Sequence, residues 1–548
     1  MIVLLAASVE FGGYVSWLKL LLVLAAFFGW LPLVNWVYLD SRAVETNTFL
    51  WTLVAALVGA AALFMWLMIP AFLIGLLIFL VAMGGSLMAY ATHRNSLVND
   101  YDKVLTPEHI RNIFVDPQKK LQKLSRGLSF ITANGNEVPL PEPKSDEATG
   151  FAVTCDLLDD ASWRRVSQVL LNPQKDEYDV IYIIDGVPGK QPSRTKEEID
   201  DFIHYAKQLA ALEVEERRKP QKGQFTSIYN QDQTDRTKWE LITSGSTAGE
   251  QVKIKRVEGK TDWKLDDLGF NENQIESIRS LRDQTSGIVL ISGTANSGLT
   301  TTLYTLLRNH DPFMYNINTL EKKPAGELQN ITQNIYSLSD TGTTTFSKRF
   351  QSLLRRGPDI VGVGICEDSQ TAKLACSGAK DGKLIYLVLD ADSVNQTVEK
   401  WIKLVGDQAL VSETLLCIIN QRLVRKLCNE CRVAYKPNQA LFRKFNIPAN
   451  EVETFYRPGE IEYDKHGKPV ICEHCQGTGY FGRTGLYETI RLNDELKEIV
   501  KKAKSVNEIG SEFRKAGMLY MQEQSIKKVA LGITSINEVI RNFSKKEA

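Results

Sequence analysis

The chain has 548 residues, with 65 basic and 65 acidic side chains and no net charge, a length that allows about three or four domains. The balanced charge argues against a protein that grips nucleic acid through a basic surface, and no nucleic-acid partner is expected. A hydrophobic fraction of 44% and a charged fraction of 24% resemble an ordinary soluble enzyme, but the two kinds of residue are segregated: from Thr46 to Thr92 there is no Asp, Glu, Lys or Arg, which excludes an ordinary cytosolic protein.

A membrane-spanning helix needs about 20 mostly apolar residues. Trp17 to Tyr38 supplies one, and the charge-free run supplies two more, Phe49 to Ile69 and Phe72 to Thr92, with Pro70 at the reversal. Lys19 can snorkel outward, and Trp17, Trp30, Trp36 and Tyr38 suit the interface. Glu10 is the only charge in the first fifteen residues, whereas Arg94, Lys103, Arg111, Lys119 and Lys120 follow the last span. The positive-inside bias therefore predicts an odd number of spans, three, with the C-terminal part in the cytoplasm. The opening lacks the basic n-region of a signal peptide. Residues 1–95 read as an all-helical transmembrane anchor in the cytoplasmic (inner) membrane.

Residues 96–145 are polar, leave through a proline-rich stretch (Val138-Pro-Leu-Pro-Glu-Pro) and read as a linker. Residues 146–250 mix short strands, among them Tyr178 to Ile184 ending in Asp185-Gly186, with a polar helix from Lys196 to Glu216, the pattern of a small α+β domain. A polar stretch, Gln231 to Glu250, closes it. Residues 251–548 open with a helix, Asn273 to Thr285, and an apolar strand, Gly287 to Ser292. Gly293-Thr-Ala-Asn-Ser-Gly-Leu-Thr-Thr and another helix come next, a strand–loop–helix start of an α/β nucleotide-binding domain. Two further apolar strands, Asp359 to Val363 and Lys383 to Leu389, extend the sheet, and the chain after about residue 490 reads as helical.

Four of the eight cysteines form two knuckles, Cys428-x-x-Cys431 and Cys472-x-x-Cys475, within a subdomain near 425–490. Four thiolates in this arrangement can surround one structural zinc ion tetrahedrally. Disulfides are the competing reading, and a cytoplasmic location disfavours them. His466 and His474 read as bystanders, and Cys155, Cys366, Cys376 and Cys417 as core fillers.

A phosphate loop reads G-x-x-x-x-G-K-[ST]: backbone amides cradle phosphate, the lysine reaches the outer phosphates and the hydroxyl holds magnesium. Gly293, Gly298 and Thr300 are in register here, but Leu299 holds the lysine position. The candidate loop comprises Gly293, Asn296, Ser297, Gly298, Leu299, Thr300 and Thr301. For the two threonines, helix capping competes with a magnesium role.

From about 145 to 500 the chain resembles the type II secretion and type IV pilus assembly ATPases. The likeness rests on Leu268-Gly-Phe, Thr301-Thr-Leu-Tyr, Thr345-Phe with Leu354-Arg-Arg-Gly-Pro-Asp-Ile-Val, Gln421-Arg-Leu-Val-Arg-Lys-Leu-Cys and the block from Cys475 to Glu488, Cys-Gln-Gly-Thr-Gly-Tyr-Phe-Gly-Arg-Thr-Gly-Leu-Tyr-Glu. The resemblance implies a RecA-like P-loop NTPase core with a zinc-knuckle subdomain, preceded by a small α+β N-terminal domain. It also implies a hexameric motor docked on a membrane platform protein; a membrane segment falls outside that plan.

The charged positions of the family pattern are replaced. Leu299 stands for the Walker A lysine, Asn296 for a mid-loop glycine and Ile365 for the Walker B glutamate, with Cys366 and Glu367 after it. The acidic box Glu-Asp-Pro reads Glu321-Lys322-Lys323. Lys383 and Asp390 stand for two histidines, and Ile181, Ile183 and Gln224 for arginines of the small domain. Losing the lysine alone weakens phosphate binding by roughly ten- to a hundredfold, and losing the general base removes about 10²–10⁴ in rate. The sequence thus predicts a membrane-anchored pseudo-ATPase with weak or absent ATP/Mg binding, a structural or regulatory subunit that pairs with itself, an active paralogue or the platform. Two alternatives stand beside it: an active motor in which Lys322, Lys323 or Lys383 replaces the lost charge, or a nucleotide-sensing module that binds without hydrolysis.

Overall fold

The computed structural model describes residues 16–44, 46–97, 104, 122–123, 125, 127–142, 145–229, 236–257, 262–337, 345–437, 454–460, 462–463 and 469–543. Glu10, Lys103, Arg111, Lys119, Lys120, the start of the polar stretch at Gln231, and His466 lie outside them. The chain divides into two compact units, 1–123 and 124–548.

In the first unit, α1 (Trp17–Ala43), α2 (Thr48–Met68) and α3 (Phe72–Leu97) are long and apolar enough to cross a membrane. Ser16 and Asn47 cap the first two by accepting from the Lys19 and Leu50 amides. Gly59 and Gly75 lie where a Cβ would collide with the Trp30 and Trp66 indoles. Those indoles donate to the carbonyls of Ala55 (3.3 Å) and Phe72 (2.9 Å), so neither polar atom is left bare among apolar helices. At one end of the bundle Asp40 accepts from the Tyr90 hydroxyl (2.6 Å) and Arg94 Nε (2.8 Å), joining α1 to α3.

The second unit contains two large sheets and two small two-stranded ones. The first is built from β1 (Leu128–Ile131), β2 (Val166–Pro173), β3 (Glu177–Ile184), β4 (Val187–Lys190), β5 (Arg194–Thr195), β6 (Gln221–Tyr229), β7 (Arg236–Gly245) and β8 (Glu250–Val257). Its pairings are antiparallel in the order β1-β6-β7-β8-β2-β3-β4, with β5 on β3. It extends past 146–250 on both sides, because β1, inside the expected linker, pairs with β6. The helices α4 (Asp146–Trp163) and α5 (Lys196–Leu209) accompany it, and Phe130, Phe151, Tyr205 and Phe225 meet edge-to-face in the core. The α5 helix stops at Leu209 rather than Glu216: Ala211 is left-handed (φ 53), and Lys207 Nζ holds the Glu216 carbonyl at 2.7 Å, turning the chain back. Asp185 (φ 48) and Gly186 (φ 81) make the tight β3–β4 turn.

The second sheet follows α6 (Glu272–Arg279). Its elements are β9 (Gly287–Gly293), α7 (Leu299–Arg308), β10 (Ile317–Glu321), β11 (Thr332–Ile335), α8 (Phe346–Leu354), β12 (Ile360–Val363), α9 (Ser369–Lys380), β13 (Leu384–Asp390), α10 (Val394–Val405), α11 (Gln408–Thr414) and β14 (Leu415–Leu427). Two small hairpins, β15 (Val433–Tyr435) with β16 (Phe455–Arg457) and β17 (Glu462–Tyr463) with β18 (Pro469–Val470), precede β19 (Tyr480–Arg491). The chain ends in α12 (Asp494–Lys502), α13 (Val506–Lys515), α14 (Met521–Ala530) and α15 (Ile536–Phe543). The strand order is β11-β10-β12-β13-β9-β14-β19, parallel except for β19. Strand β9 is buried on both faces: Ile288 and Leu290 join one hydrophobic cluster, Val289 and Ile291 another, as the two-residue period requires.

Candidate functional site

Because the strands run parallel, Gly293, Glu321, Val363 and Asp390 all end on one edge of the sheet. Crevices at such edges are where open α/β sheets hold ligands. The loop from Gly293 to Thr301 leaves β9 at this edge. Asn296 (φ 64) and Gly298 (φ 89) take left-handed backbone to turn it into α7. Gly293 cannot be replaced in place: a Cβ there would sit 2.5 Å from both the Gln421 carbonyl and Ser297 Oγ.

Gln421, on the neighbouring strand β14, stitches the loop together. Its Nε2 donates to the Ser297 carbonyl at 2.9 Å, and its Oε1 accepts from the Thr302 hydroxyl at 2.7 Å, both buried. The sequence marks Gln421 only as part of a motif; its service to the loop depends on the parallel β9–β14 pairing, for which there is no local signal. Leu299 packs among the apolar residues beneath α7 instead of offering a cation. Thr300 and Thr301 do not cap the helix, since the cap position belongs to Gly298, which has no side chain to bond. Ser297 Oγ is buried (residue 4% exposed) and has no hydrogen-bond partner among the described residues. The first amides of α7 are what remains to meet an anion.

The rest of the edge is tied up in its own contacts. Glu321 is buried and accepts from Tyr304 Oη and Thr319 Oγ1, each at 2.8 Å. Burial, and then the Glu321 carboxylate, push the Tyr304 phenol well above its ordinary range. Lys322 pairs with Glu367 at 2.6 Å and Lys323 with Glu240 of β7 at 2.9 Å. Lys383 immediately precedes β13, at the end opposite the loop, so it lies about 20 Å of strand away from Gly293 and cannot replace the lysine. Asp390, exposed, is the register partner of Gly293, which sets an acidic residue beside the loop. Ile365 is half-buried; Ile181 and Ile183 are half-buried on the face of β3 opposite buried Tyr182; Gln224 faces Glu240 across β6–β7.

Cys428, Cys431, Cys472 and Cys475 converge, all four Sγ atoms lying within 4.8 Å of one another. Two of the pairs, Cys431–Cys475 at 3.6 Å and Cys428–Cys472 at 4.0 Å, are far longer than a disulfide, and all four cysteines are free. They match the edge of about 3.8 Å that four sulfurs make at ~2.3 Å from a tetrahedral centre. The backbone closes the cage: the Gly479 amide donates to Cys475 Sγ (3.3 Å) and the Cys428 amide to the Gly479 carbonyl (3.0 Å). His474 stacks on Phe481, ring centres 4.0 Å apart, and is not among the clustered ligands. Cys155, Cys366, Cys376 and Cys417 are buried. Glu488, closing the glycine-rich block, accepts from the amides of Val394 (3.1 Å) and Met521 (3.2 Å), the starts of α10 and α14. Burial raises its pKa against those amides.

The fold and the two loop systems define a protein of the secretion-machine class. The family profile described as "Type II/IV secretion system protein" matches residues 145–541, and the chain belongs to that family. It is 28% identical over 405 residues to the type IV pilus assembly ATPase PilB of Thermus thermophilus, covering 74% of this chain and 44% of that protein. Identity to PilB of Pseudomonas aeruginosa is 27% over 76% of this chain and 71% of the relative. To type II secretion system protein E of Xanthomonas campestris pv. campestris it is 30% over 69% and 64%. The chain thus spans less than half of the Thermus relative, and the three apolar helices lie outside the matched region.

Proposed function

We propose that this chain is a membrane-anchored pseudo-ATPase: a structural or regulatory subunit of a type II secretion or type IV pilus-like machine in the cytoplasmic membrane. The three apolar helices form the anchor, the antiparallel sheet the small N-terminal domain, and the parallel sheet a RecA-like core with a zinc-bearing subdomain. Its partners are copies of itself, an active paralogue in a shared ring, or the platform protein. Leu299 carries the reading. At the one loop position where phosphate chemistry needs a cation stands a half-buried leucine packed against the apolar core, while the surrounding loop keeps its shape through Gln421. Lys322 and Lys323, two cations on that edge, are already paired with carboxylates, and Lys400 Nζ, beside Asp390, donates to the Asp390 carbonyl at 2.9 Å.

Steady-state ATPase assays on the detergent-solubilised full chain test it. The expected result is no hydrolysis above background, with Leu299→Lys failing to restore any. A turnover of about one per second, within the ordinary enzyme range, that Thr300→Ala abolishes would overturn the proposal. The orphan hydroxyl of Ser297 favours a second reading, a loop that holds phosphate without hydrolysing it. Micromolar ADP binding by calorimetry with no turnover would select that one.

A further inference from the structure

Glu240 breaks the pattern of its strand. Along β7, Thr237, Trp239, Leu241 and Thr243 are buried in the core of the small domain, while Arg236 and Lys238 on the outer row are exposed. Glu240 belongs to that outer row, yet its side chain is only 4% exposed, and two ammonium groups lie on it. Lys222, from the adjacent strand β6, stands at 3.0 Å; Lys323, from the loop after β10 of the other sheet, stands at 2.9 Å. A buried carboxylate needs such partners. Only one of the two comes from its own domain.

A second attachment joins the same two domains. Arg165, in the turn just before β2, donates to the Tyr480 carbonyl (3.3 Å) and Gln476 Oε1 (3.4 Å) and lies 4.1 Å over the Phe481 ring. Asp185, in the β3–β4 turn, accepts from the Gly482 amide at 3.2 Å. Arg165 (φ 57), Asp185 (φ 48) and Gln476 (φ 49) are three of the six non-glycine residues with left-handed backbone among those described. Such strain persists where surrounding structure holds it. In the strand order, β7 is separated from β2 and β3 by two and three spacings, about 10–14 Å. Contacts that far apart on one sheet oppose pivoting about either.

We infer that Glu240–Lys323 and the Arg165/Asp185 contacts form a ligand-independent clamp that fixes the small domain on the parallel-sheet core as one rigid body. Lys323 is its detachable half, and Lys222 is the local counter-charge that keeps Glu240 satisfied within its own sheet. The inference stands on these contacts alone and holds whether or not the loop at Gly293 binds a nucleotide.

Hydrogen–deuterium exchange on the full chain in detergent tests it, with peptides covering 476–483 and 181–190 as reporters. Lys323→Ala should speed exchange in both by about fivefold, the scale of one partly exposed ion pair, with the β9 and β13 amides unchanged. Lys222→Ala, which leaves the interdomain bond in place, should leave the reporters as in the wild type. No acceleration with Lys323→Ala overturns the clamp. Equal acceleration with both variants also overturns it, because the effect would then be Glu240's burial within its own sheet.

Discussion

The loop after β9 and the cysteine cage both depend on glycine-shaped backbone, and they differ in what holds that backbone. In the loop, the turn made by Asn296 and Gly298 is completed from inside the protein: Gln421 occupies the Ser297 carbonyl and the Thr302 hydroxyl, and half-buried Leu299 packs against the apolar core. The cage has no comparable filling. Four thiols crowd within 4.8 Å with no disulfide among them, so a cation is what would turn that crowding into attraction. The loop's shape is held by protein contacts; the cage's four thiols offer a ligand set on which, in the reading proposed above, its shape depends.

Metal removal should therefore produce the largest effect. With zinc as the resident ion, elemental analysis of the full chain should give about one zinc per chain, and Cys475→Ser should remove it. Structural zinc contributes up to about 10–16 kcal/mol in small zinc-dependent domains. Chelation should accordingly unfold the knuckle region, seen as new protease cuts between Leu427 and Tyr480, while nucleotide leaves those cuts unchanged. A cysteine variant as protease-resistant as the wild type would erase the contrast between the two regions. Gln421→Ala should come next. Removing both hydrogen bonds strands two buried groups at about 1–3 kcal/mol each, so the urea midpoint should fall whether or not ATP is present. If nucleotide restored the midpoint, the loop would be held by ligand, and the comparison would fail on that side.

Legibility followed the distance over which each feature is encoded. The three apolar helices, β9 and the cysteine spacing are patterns within a few tens of residues, and their positions in the chain could be read directly. The strand Gly287–Gly293 lies within a residue of its expected end, and the four cysteines that pair by spacing are the four that converge. What escaped depends on pairings between remote segments. Gln421 serves the loop only because β14 lies beside β9, and Lys383 is disqualified only because β13 runs parallel to it. Leu128–Ile131 reads as linker in the sequence because four residues become a strand only on finding β6, about a hundred positions on. From Lys196 the sequence predicts a helix as far as Glu216 because the charged, helix-favouring run continues past the point where Lys207 folds the chain back.

The smallest effect concerns Glu240, which distinguishes a junction held by charge from one held by packing alone. Burial pushes this carboxyl up, but the ammonium groups of Lys323 and Lys222 outweigh burial and bring it down to about 2, from an ordinary 4.5. Lys255, its register partner on β8, adds no opposing negative charge. A carboxylate whose pKa is lower in the folded state contributes its full stability above its unfolded value. That contribution drains away as pH falls from about 4.5 toward 2. The difference in urea midpoint between the wild type and Glu240→Gln should thus stay level from pH 8 to about 5 and narrow steadily below that. Added salt should narrow it at neutral pH as well, since both lysine heads are half-exposed and screened. A difference that stays constant down to pH 3 and in high salt would mean that Glu240 holds its place by shape, and that the small domain rests on the core without an ionic pin.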